Sequence, residues 1–402
     1  MLRLINLIFL TSPLAIMSCG DSGSNPSDEE KISFKIEVPR IDFVEMSQDQ
    51  SHETDQSTIW YDDFSSDKEY FGKKGIVDTS VDFGTDGGSA DMGFEKDAVD
   101  GRGNRQVAFG GFPASSSVVK AGQKFDEIYW RIYVKHEHGW KGSPFKMSRA
   151  TSIVSGNWQQ AMIAHVWHGS DEDNGITLDP ARGVEGQTDQ IKTTKYNDFD
   201  NLSWLGNQPV SEFKISSTGE SGYWVLVECR AKLNSPGKDD GVNQLWIDGR
   251  LETERKNLNF RGSYIEHGIN AVFLESYWNR GSVKTQGRWF DNFVISTDPI
   301  GPVISPSNPT IYKTPYFGAA ELAGWEVELA SDYEGNDVVF KSDFLGTEEK
   351  VVVDASNGVF SGSLEGKTAL SSGEIYYSRV RQKNTEGFYS NWSRWHQGFK
   401  VK

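Results

Sequence analysis

The sequence of 402 residues has only two cysteines, Cys19 and Cys229, and apart from its first eighteen residues no apolar run of membrane-spanning length. Two cysteines exclude a disulfide framework and a cysteine-rich zinc site. Positive charge is also scarce, since 41 Lys and Arg stand against 57 Asp and Glu and give a net charge of −16. Because no basic block offsets this charge, we expect no binding to nucleic acid.

The sequence also lacks the short motifs of several enzyme classes. It contains no GxSxG, HExxH, phosphate-binding loop or dinucleotide fingerprint, and no ExDxxE run of closely spaced glycosidase carboxylates. We therefore expect no catalytic metal and no required cofactor. The acidic run at residues 171–175 offers oxygen ligands and a turn glycine for a structural calcium ion, and a solvated acidic turn is the alternative.

The first residues indicate export from the cell. Arg3 precedes an apolar stretch, and Ile16-Met17-Ser18-Cys19 resembles a bacterial lipobox, in which the cysteine is lipidated. An ordinary signal peptide with an incidental cysteine is the alternative. We predict a protein anchored to the membrane of the cell envelope, in the outer membrane, through a lipid on Cys19, with a secreted protein as the second location.

The rest of the chain divides by composition into three regions and predicts an all-β fold. Residues 20–57 are rich in Asp and Glu, apart from a short alternating piece around Ile32 to Val44, and predict a solvated tether. Residues 58–302 contain short alternating runs separated by turn residues, and residues 128–135 place Ile and Trp on one face and Tyr and Arg on the other. A proline-rich break precedes residues 303–402, which alternate again.

Two resemblances refine this organisation. The segment EIYYSRVRQKNTEGFYSNWSRW (residues 374–395) resembles the closing hairpin of a fibronectin type III module, which implies a small immunoglobulin-like β-sandwich. Residues 223–262, 269–279 and 288–296 resemble the C-terminal half of concanavalin A-like jelly-roll polysaccharide lyases of the alginate and glucuronan lyase type. The matching positions are Trp224, Leu233, Asn234, Pro236, Gly237, Asp240, Gly241 and Phe290-Asp291-Asn292-Phe293.

The lyase resemblance implies β-elimination on a uronate polymer, which needs a cation for the carboxylate, a base for the adjacent C–H and an acid for the leaving oxygen. Strand alternation in QAMIAHVWHG (residues 160–169) places Met162, Ala164 and Val166 on the apolar face, opposite His165 and Trp167. ITLDPARG (residues 176–183) stands where alginate lyases carry alternating tyrosines. The candidate catalytic residues are His165 as base, Tyr277 as acid or shared acid and base, and Arg149 and Lys146 for the carboxylate. The candidate substrate-binding residues are Trp167, Asn279, Glu275, Arg131 and Tyr133.

Two functions from different classes remain open at this point. The first is a surface-anchored polysaccharide lyase that acts as a monomer on an acidic glycan. The second is a non-catalytic carbohydrate-binding or adhesion lipoprotein with a lectin-like jelly roll. Both require an extended groove on one face of a sheet, so a long polymer is the expected partner.

Overall fold

The computed structural model of the protein describes residues 36–84, 87–114, 117–168, 173–206 and 210–402. The predicted signal peptide and Cys19 lie outside these residues. The described chain is nearly all β, which confirms the predicted fold class. No helix within the described ranges is long and apolar enough to cross a membrane.

The strands follow one another along the chain in this order. They are β1 (Ile41–Val44), β2 (Thr58–Asp62), β3 (Gly72–Lys74), β4 (Val77–Asp78), β5 (Ser89–Asp91), β6 (Asn104–Ala108), β7 (Glu127–His136), β8 (Lys146–Ile153), β9 (Gln160–His168), β10 (Ile176–Arg182), β11 (Ser203–Trp204), β12 (Trp224–Lys232), β13 (Gly241–Ile247), β14 (Arg250–Leu258), β15 (Ala271–Tyr277), β16 (Arg288–Ser296), β17 (Ile304–Ser305), β18 (Thr310–Lys313), β19 (Leu322–Ala330), β20 (Val338–Ser342), β21 (Lys350–Val352), β22 (Gly358–Phe360), β23 (Ile375–Asn384) and β24 (His396–Val401). The helical elements are α1 (Ser51–Thr54) and the 3₁₀ turns Thr218–Glu220 and Gly362–Leu364.

Strands β2 to β16 form a large sandwich of two antiparallel sheets. The seven-stranded sheet has the order β11-β10-β9-β8-β15-β6-β3. The eight-stranded sheet has the order β14-β13-β12-β7-β16-β5-β4, with β2 added on β16. Neighbours that are distant in sequence, such as β8 beside β15, give the crossed connections expected of a jelly roll.

One apolar face of each large sheet packs against the other. Met162, Ala164 and Val166 of β9 lie in this core together with Trp130 and Ile132 of β7, as the period-2 patterns predict. The free thiol of Cys229 is buried in the same core. The opposite face of each sheet therefore lies outside this core.

The remaining strands form a smaller sandwich. The sheet β17-β24-β23-β19-β20-β22 packs on the sheet β1-β18-β21. A second, smaller β-sandwich thus follows the large one, while the fibronectin type III assignment stays a prediction.

Strand β1 precedes the large sandwich in sequence but belongs to the small one. It pairs antiparallel with β18, and Ile41 and Val44 are buried in the small core. The prediction of a solvated tether over residues 20–57 is therefore wrong for this stretch. The short alternating piece that ends at Val44 supplies four residues whose outer members are apolar, which is enough to add a strand to an otherwise open edge.

The small sandwich covers the outer face of the eight-stranded sheet. Tyr133, Trp224 and Leu226 project from that face into the small core, beside Phe83. At the same contact, Arg394 of the small sandwich donates a hydrogen bond to the buried Asp248 carboxylate at 2.7 Å. Apolar burial and this buried ion pair hold the two sandwiches together.

Shortening Ile41 tests the structural role of β1. We expect Ile41→Ala to lower the free energy of unfolding by about 2–5 kcal/mol, because it leaves a cavity in the small core. Urea denaturation measures this change. The matched control is Ile76→Ala, whose side chain is 69% exposed and which we expect to be nearly neutral. Equal urea midpoints for the Ile41 variant and the wild type would contradict a structural role.

Candidate functional site

The outer face of the seven-stranded sheet collects most of the predicted site residues; we call it the site face. One cross-strand row consists of Phe273 on β15, Arg149 on β8, His165 on β9 and Asp179 on β10. The next row consists of Tyr277, Lys146, Trp167 and Thr177 on the same four strands. Directly opposed residues on neighbouring strands lie about 5 Å apart, so these side chains form one continuous surface.

Lys146 reaches this face only because β8 is irregular. Strict alternation places a residue three positions from Arg149 on the opposite face. The register of β8 shifts between Lys146 and Ser148, so that Met147 and Ser148 both point into the core. Lys146 consequently turns outward, with its Nζ atom 4.5 Å from the ring centroid of Tyr277 and 5.8 Å from that of Trp167. A β-bulge thus turns the Lys146 side chain toward the site face.

Strand β15 has the complementary irregularity. Its register against β8 shifts between Leu274 and Tyr277, which pairs Tyr277 with Lys146. Burial lowers the pKa of Lys146, and the Glu275 carboxylate opposes that effect. Both Lys146 and Tyr277 are half-buried, so their functional atoms border solvent. This pair is the accessible reactive part of the site face.

Arg149 and Glu275 form a buried ion pair. The Arg149 Nε and Nη2 atoms donate to the two Glu275 carboxylate oxygens at 2.8 and 2.6 Å, and Nη1 donates to Asn197 Oδ1 at 2.7 Å. The Arg149 guanidinium is fully buried and also lies 5.4 Å from the Tyr196 ring centroid. The predicted contact of Arg149 with a sugar is therefore wrong, because its guanidinium is buried against Glu275 and Asn197. Glu275 keeps partial exposure, and its predicted contact stays a prediction.

His165 is held in one tautomer. Its Nδ1 atom lies 2.9 Å from the Asp179 carbonyl oxygen, which can only accept, so Nδ1 carries the proton and Nε2 bears a lone pair. Burial lowers the pKa of His165 well below its usual value, and Arg149 lowers it further. Nε2 has no hydrogen-bond partner among the described residues, but the side chain is fully buried. The structure thus places His165 on the predicted face without giving it access to substrate.

Aromatic rings continue the site face beyond Lys146. Trp167 packs on His165 with a centroid distance of 3.9 Å, and Trp204 of β11 stacks on His165 at 5.7 Å. Trp204 in turn stacks on Phe199 at 5.9 Å, and these last two rings are both exposed. The sequence did not predict Trp204 as a site residue, because β11 has only two residues and so shows no alternation.

Loop residues cover the other end of the site face. Tyr196 and Trp158 pack near Phe273, and Leu202 packs on Ile163. This cover explains why Arg149 and His165 are buried while Lys146 and Tyr277 are not. The accessible side chains of the site face are therefore Lys146 and Tyr277 at one end and Trp204 with Phe199 at the other, while Trp167 and Thr177 between them are buried.

The other three predicted residues lie away from this surface. Arg131 and Tyr133 project from the outer face of the eight-stranded sheet, which the small sandwich covers. Arg131 donates to the carbonyl oxygens of Gly301 and Asn292, and the Tyr133 hydroxyl accepts from the Val303 amide. Their predicted substrate contacts are wrong, since alternation identifies a face but not what covers it. Asn279 is exposed in the turn after β15.

Metal ligation has no clear basis in this region. Among the described residues, no group of three or more His, Cys, Asp or Glu side chains is arranged to hold a metal ion. Part of the acidic run at 171–175 lies outside the described residues, and Asp173 pairs with Lys214 at 2.7 Å. A structural calcium ion stays a prediction.

Comparison with known proteins finds similarity only at the level of solved structures. No protein-family model matches the chain, and no curated protein matches it. The similar structures include an alginate lyase from Chlorella virus (15% identity, TM-score 0.38, covering 56% of this chain and 91% of that chain). They also include an alginate lyase from Aplysia kurodai (14%, 0.39, 60% and 99%) and an endo-β-1,4-glucuronan lyase from Trichoderma reesei (12%, 0.35, 60% and 96%). Because these TM-scores are low, we base the functional proposal on the side chains of the site face.

Removing the charge of Glu275 tests the buried ion pair. We expect Glu275→Gln to lower the free energy of unfolding by about 3–5 kcal/mol, because Arg149 would remain charged and buried. The matched control is Glu127→Gln, whose partner Arg230 is partly exposed, and there we expect a loss of at most about 1 kcal/mol. Urea denaturation of both variants gives the comparison. A loss no larger than that of the control would show that Arg149 does not depend on Glu275.

Asp179 makes the stability of the folded protein depend on pH. Burial raises the pKa of Asp179 to about 6, and its Oδ1 atom has no partner among the described residues. Between about pH 4 and pH 6 the folded state holds a proton that the unfolded state has lost, so this residue makes stability fall as pH rises. We expect Asp179→Asn to remove this fall. The melting temperatures of variant and wild type, compared from pH 4 to pH 7, would contradict the assignment if their difference stayed constant.

Proposed function

We propose that this protein binds an acidic, uronate-containing polysaccharide along the site face and cleaves it by β-elimination. The observation that carries the proposal is the half-buried Lys146–Tyr277 pair, which two β-bulges set side by side at the open end of the face. An ammonium group beside a phenol supplies the charge and the proton transfer that such a reaction needs.

The spacing of the accessible groups fits a chain-like ligand. Tyr277 on β15 and Trp204 on β11 lie on the first and last of five neighbouring strands, which span about 19 Å at about 4.8 Å between strands. The exposed Trp204 and Phe199 rings supply apolar faces on which sugar rings can stack, while Lys146 supplies the cation. A polymer bearing carboxylates matches this sequence of groups.

The two accessible residues divide the chemistry. The Lys146 ammonium pairs with the uronate carboxylate and stabilises the charge that develops as the adjacent C–H bond breaks. The Tyr277 hydroxyl gives its own proton to the glycosidic oxygen as the C–O bond breaks, and its oxygen takes the C–H proton as the C=C bond forms, so the phenol is restored. The phenol proton ends on the leaving sugar, so no cofactor takes part. Arg149, Glu275 and His165 act as positioning residues, because they pack in the row of the site face next to Lys146 and Tyr277.

Absorbance in the ultraviolet tests the reaction, because elimination creates a conjugated, unsaturated uronate. We expect an increase when the protein lacking residues 1–19 is incubated with one of alginate, polyglucuronate, pectate or a glycosaminoglycan. Tyr277→Phe should reduce the rate about 10²–10⁴-fold and Lys146→Met about 10²–10³-fold. The matched controls Tyr312→Phe and Lys232→Met, both remote from the site face, should keep the wild-type rate.

The same experiment separates the lyase from a binding protein. If no polymer produces absorbance but one retards the protein in an affinity gel, the site face is a lectin surface, and Trp204→Ala should abolish the retardation. If neither absorbance nor retardation occurs, both functions are wrong.

Anchoring through Cys19 in the cell envelope is a separate proposal that mass spectrometry of the mature N-terminus would test.

A further inference from the structure

Arg288 is a buried arginine with no carboxylate partner among the described residues. It lies on β16 of the eight-stranded sheet, is fully buried, and has the Phe94 and Phe290 ring centroids 5.2 and 4.9 Å from its guanidinium carbon. Burial lowers its pKa to about 9, so it keeps its charge at neutral pH. A buried charge without a counter-ion is costly and calls for an explanation.

The donors of Arg288 cross the core to the opposite sheet. Nη2 donates to the Glu275 carbonyl oxygen at 2.9 Å and to Ser276 Oγ at 3.1 Å, and Nη1 contacts the Lys146 carbonyl oxygen at 3.4 Å. Ser276 Oγ in turn donates to the Met92 carbonyl oxygen at 2.5 Å. One guanidinium thus joins β8 and β15 from behind the site face.

These acceptors coincide with the two register shifts. The shift on β8 lies between Lys146 and Ser148, and the shift on β15 lies between Leu274 and Tyr277. A bulge interrupts the ladder and leaves backbone groups that need other partners. The Lys146 and Glu275 carbonyl groups lie at these interruptions, where Arg288 meets them.

We propose that Arg288 is a positioning residue that holds both bulges and thereby keeps Lys146 and Tyr277 facing each other. The proposal rests on the proposed function for its catalytic meaning, but its structural content does not. The planar, forked guanidinium reaches acceptors on two strands from two separate nitrogen atoms in a fixed geometry, whereas an ammonium group donates from a single nitrogen. We therefore expect Arg288→Lys to impair the positioning of Lys146 and Tyr277, although it keeps the positive charge.

Reductive methylation of Lys146, followed by mass spectrometry as a function of pH, tests the proposal without any carbohydrate. The charged and titratable groups around the Lys146 amine are Tyr277, Glu275, Arg149, Asp100 and His165. In the wild type we expect Lys146 to react at lower pH than the more exposed Lys232. Arg288→Met, and Arg288→Gln if the first variant is too unstable, should shift the Lys146 profile because the amine moves relative to these groups.

The matched control is Arg105→Met. Arg105 is also a buried arginine whose donors go to carbonyl oxygens, namely those of Lys74, Asn104 and Ile76, and none of these lies at the two bulges. We expect this variant to lose stability but to keep the wild-type methylation profile of Lys146. Identical Lys146 profiles in wild type, Arg288 variants and Arg105→Met would overturn the proposal.

Turnover supplies the second measurement. We expect Arg288→Met and Arg288→Lys to lower kcat about 100-fold with little change in KM, whereas Arg105→Met changes kcat less than about threefold. Equal losses of kcat in the Arg105 and Arg288 variants would reduce Arg288 to a general stability role. If the wild type itself cleaves no polymer, the proposed function fails, and the methylation profile still decides whether Arg288 positions Lys146.

Discussion

The packing of one face of each large sheet against the other is the interaction on which the rest of the structure depends. It removes Trp130, Ile132, Met162 and their neighbours from water and fixes which side chains remain outside. Each sheet then has a second face outside this core, and the two outer faces are covered to different extents. The small sandwich covers that of the eight-stranded sheet, whereas loops cover only one end of the site face.

The same packing explains the bulge on β8. Met147 and Ser148 are consecutive, yet both point into the core, and a regular strand cannot do this. The extra inward residue turns Lys146 to the outside, where it meets Tyr277. Core packing and the candidate chemistry are therefore coupled, because the apolar side chain that fills the sandwich also sets the direction of the lysine beside it.

Three arginines show how differently a buried charge can be accommodated. Arg149 has a carboxylate partner in Glu275, Arg131 donates to carbonyl oxygens of the segment that leads to the small sandwich, and Arg288 donates to carbonyl oxygens beside the site. An arginine that donates to carbonyl oxygens fixes the backbone geometry without placing another carboxylate in the site. An additional carboxylate next to Lys146 would compete with an acidic sugar for the ammonium group.

The sequence by itself determined the all-β class, the alternation of β7 and β9, and the common face of His165 and Trp167, because these depend on the two-residue period of a strand. The tertiary structure decided what covers each face, and so it buried Tyr133 under the small sandwich, Arg131 against the segment at Gly301 and Arg149 under loop residues. It also decided that residues 41–44 complete a distant sheet. The orientation of Lys146 belongs to this second group, since a bulge arises from pairing with neighbouring strands and leaves no mark in the local pattern.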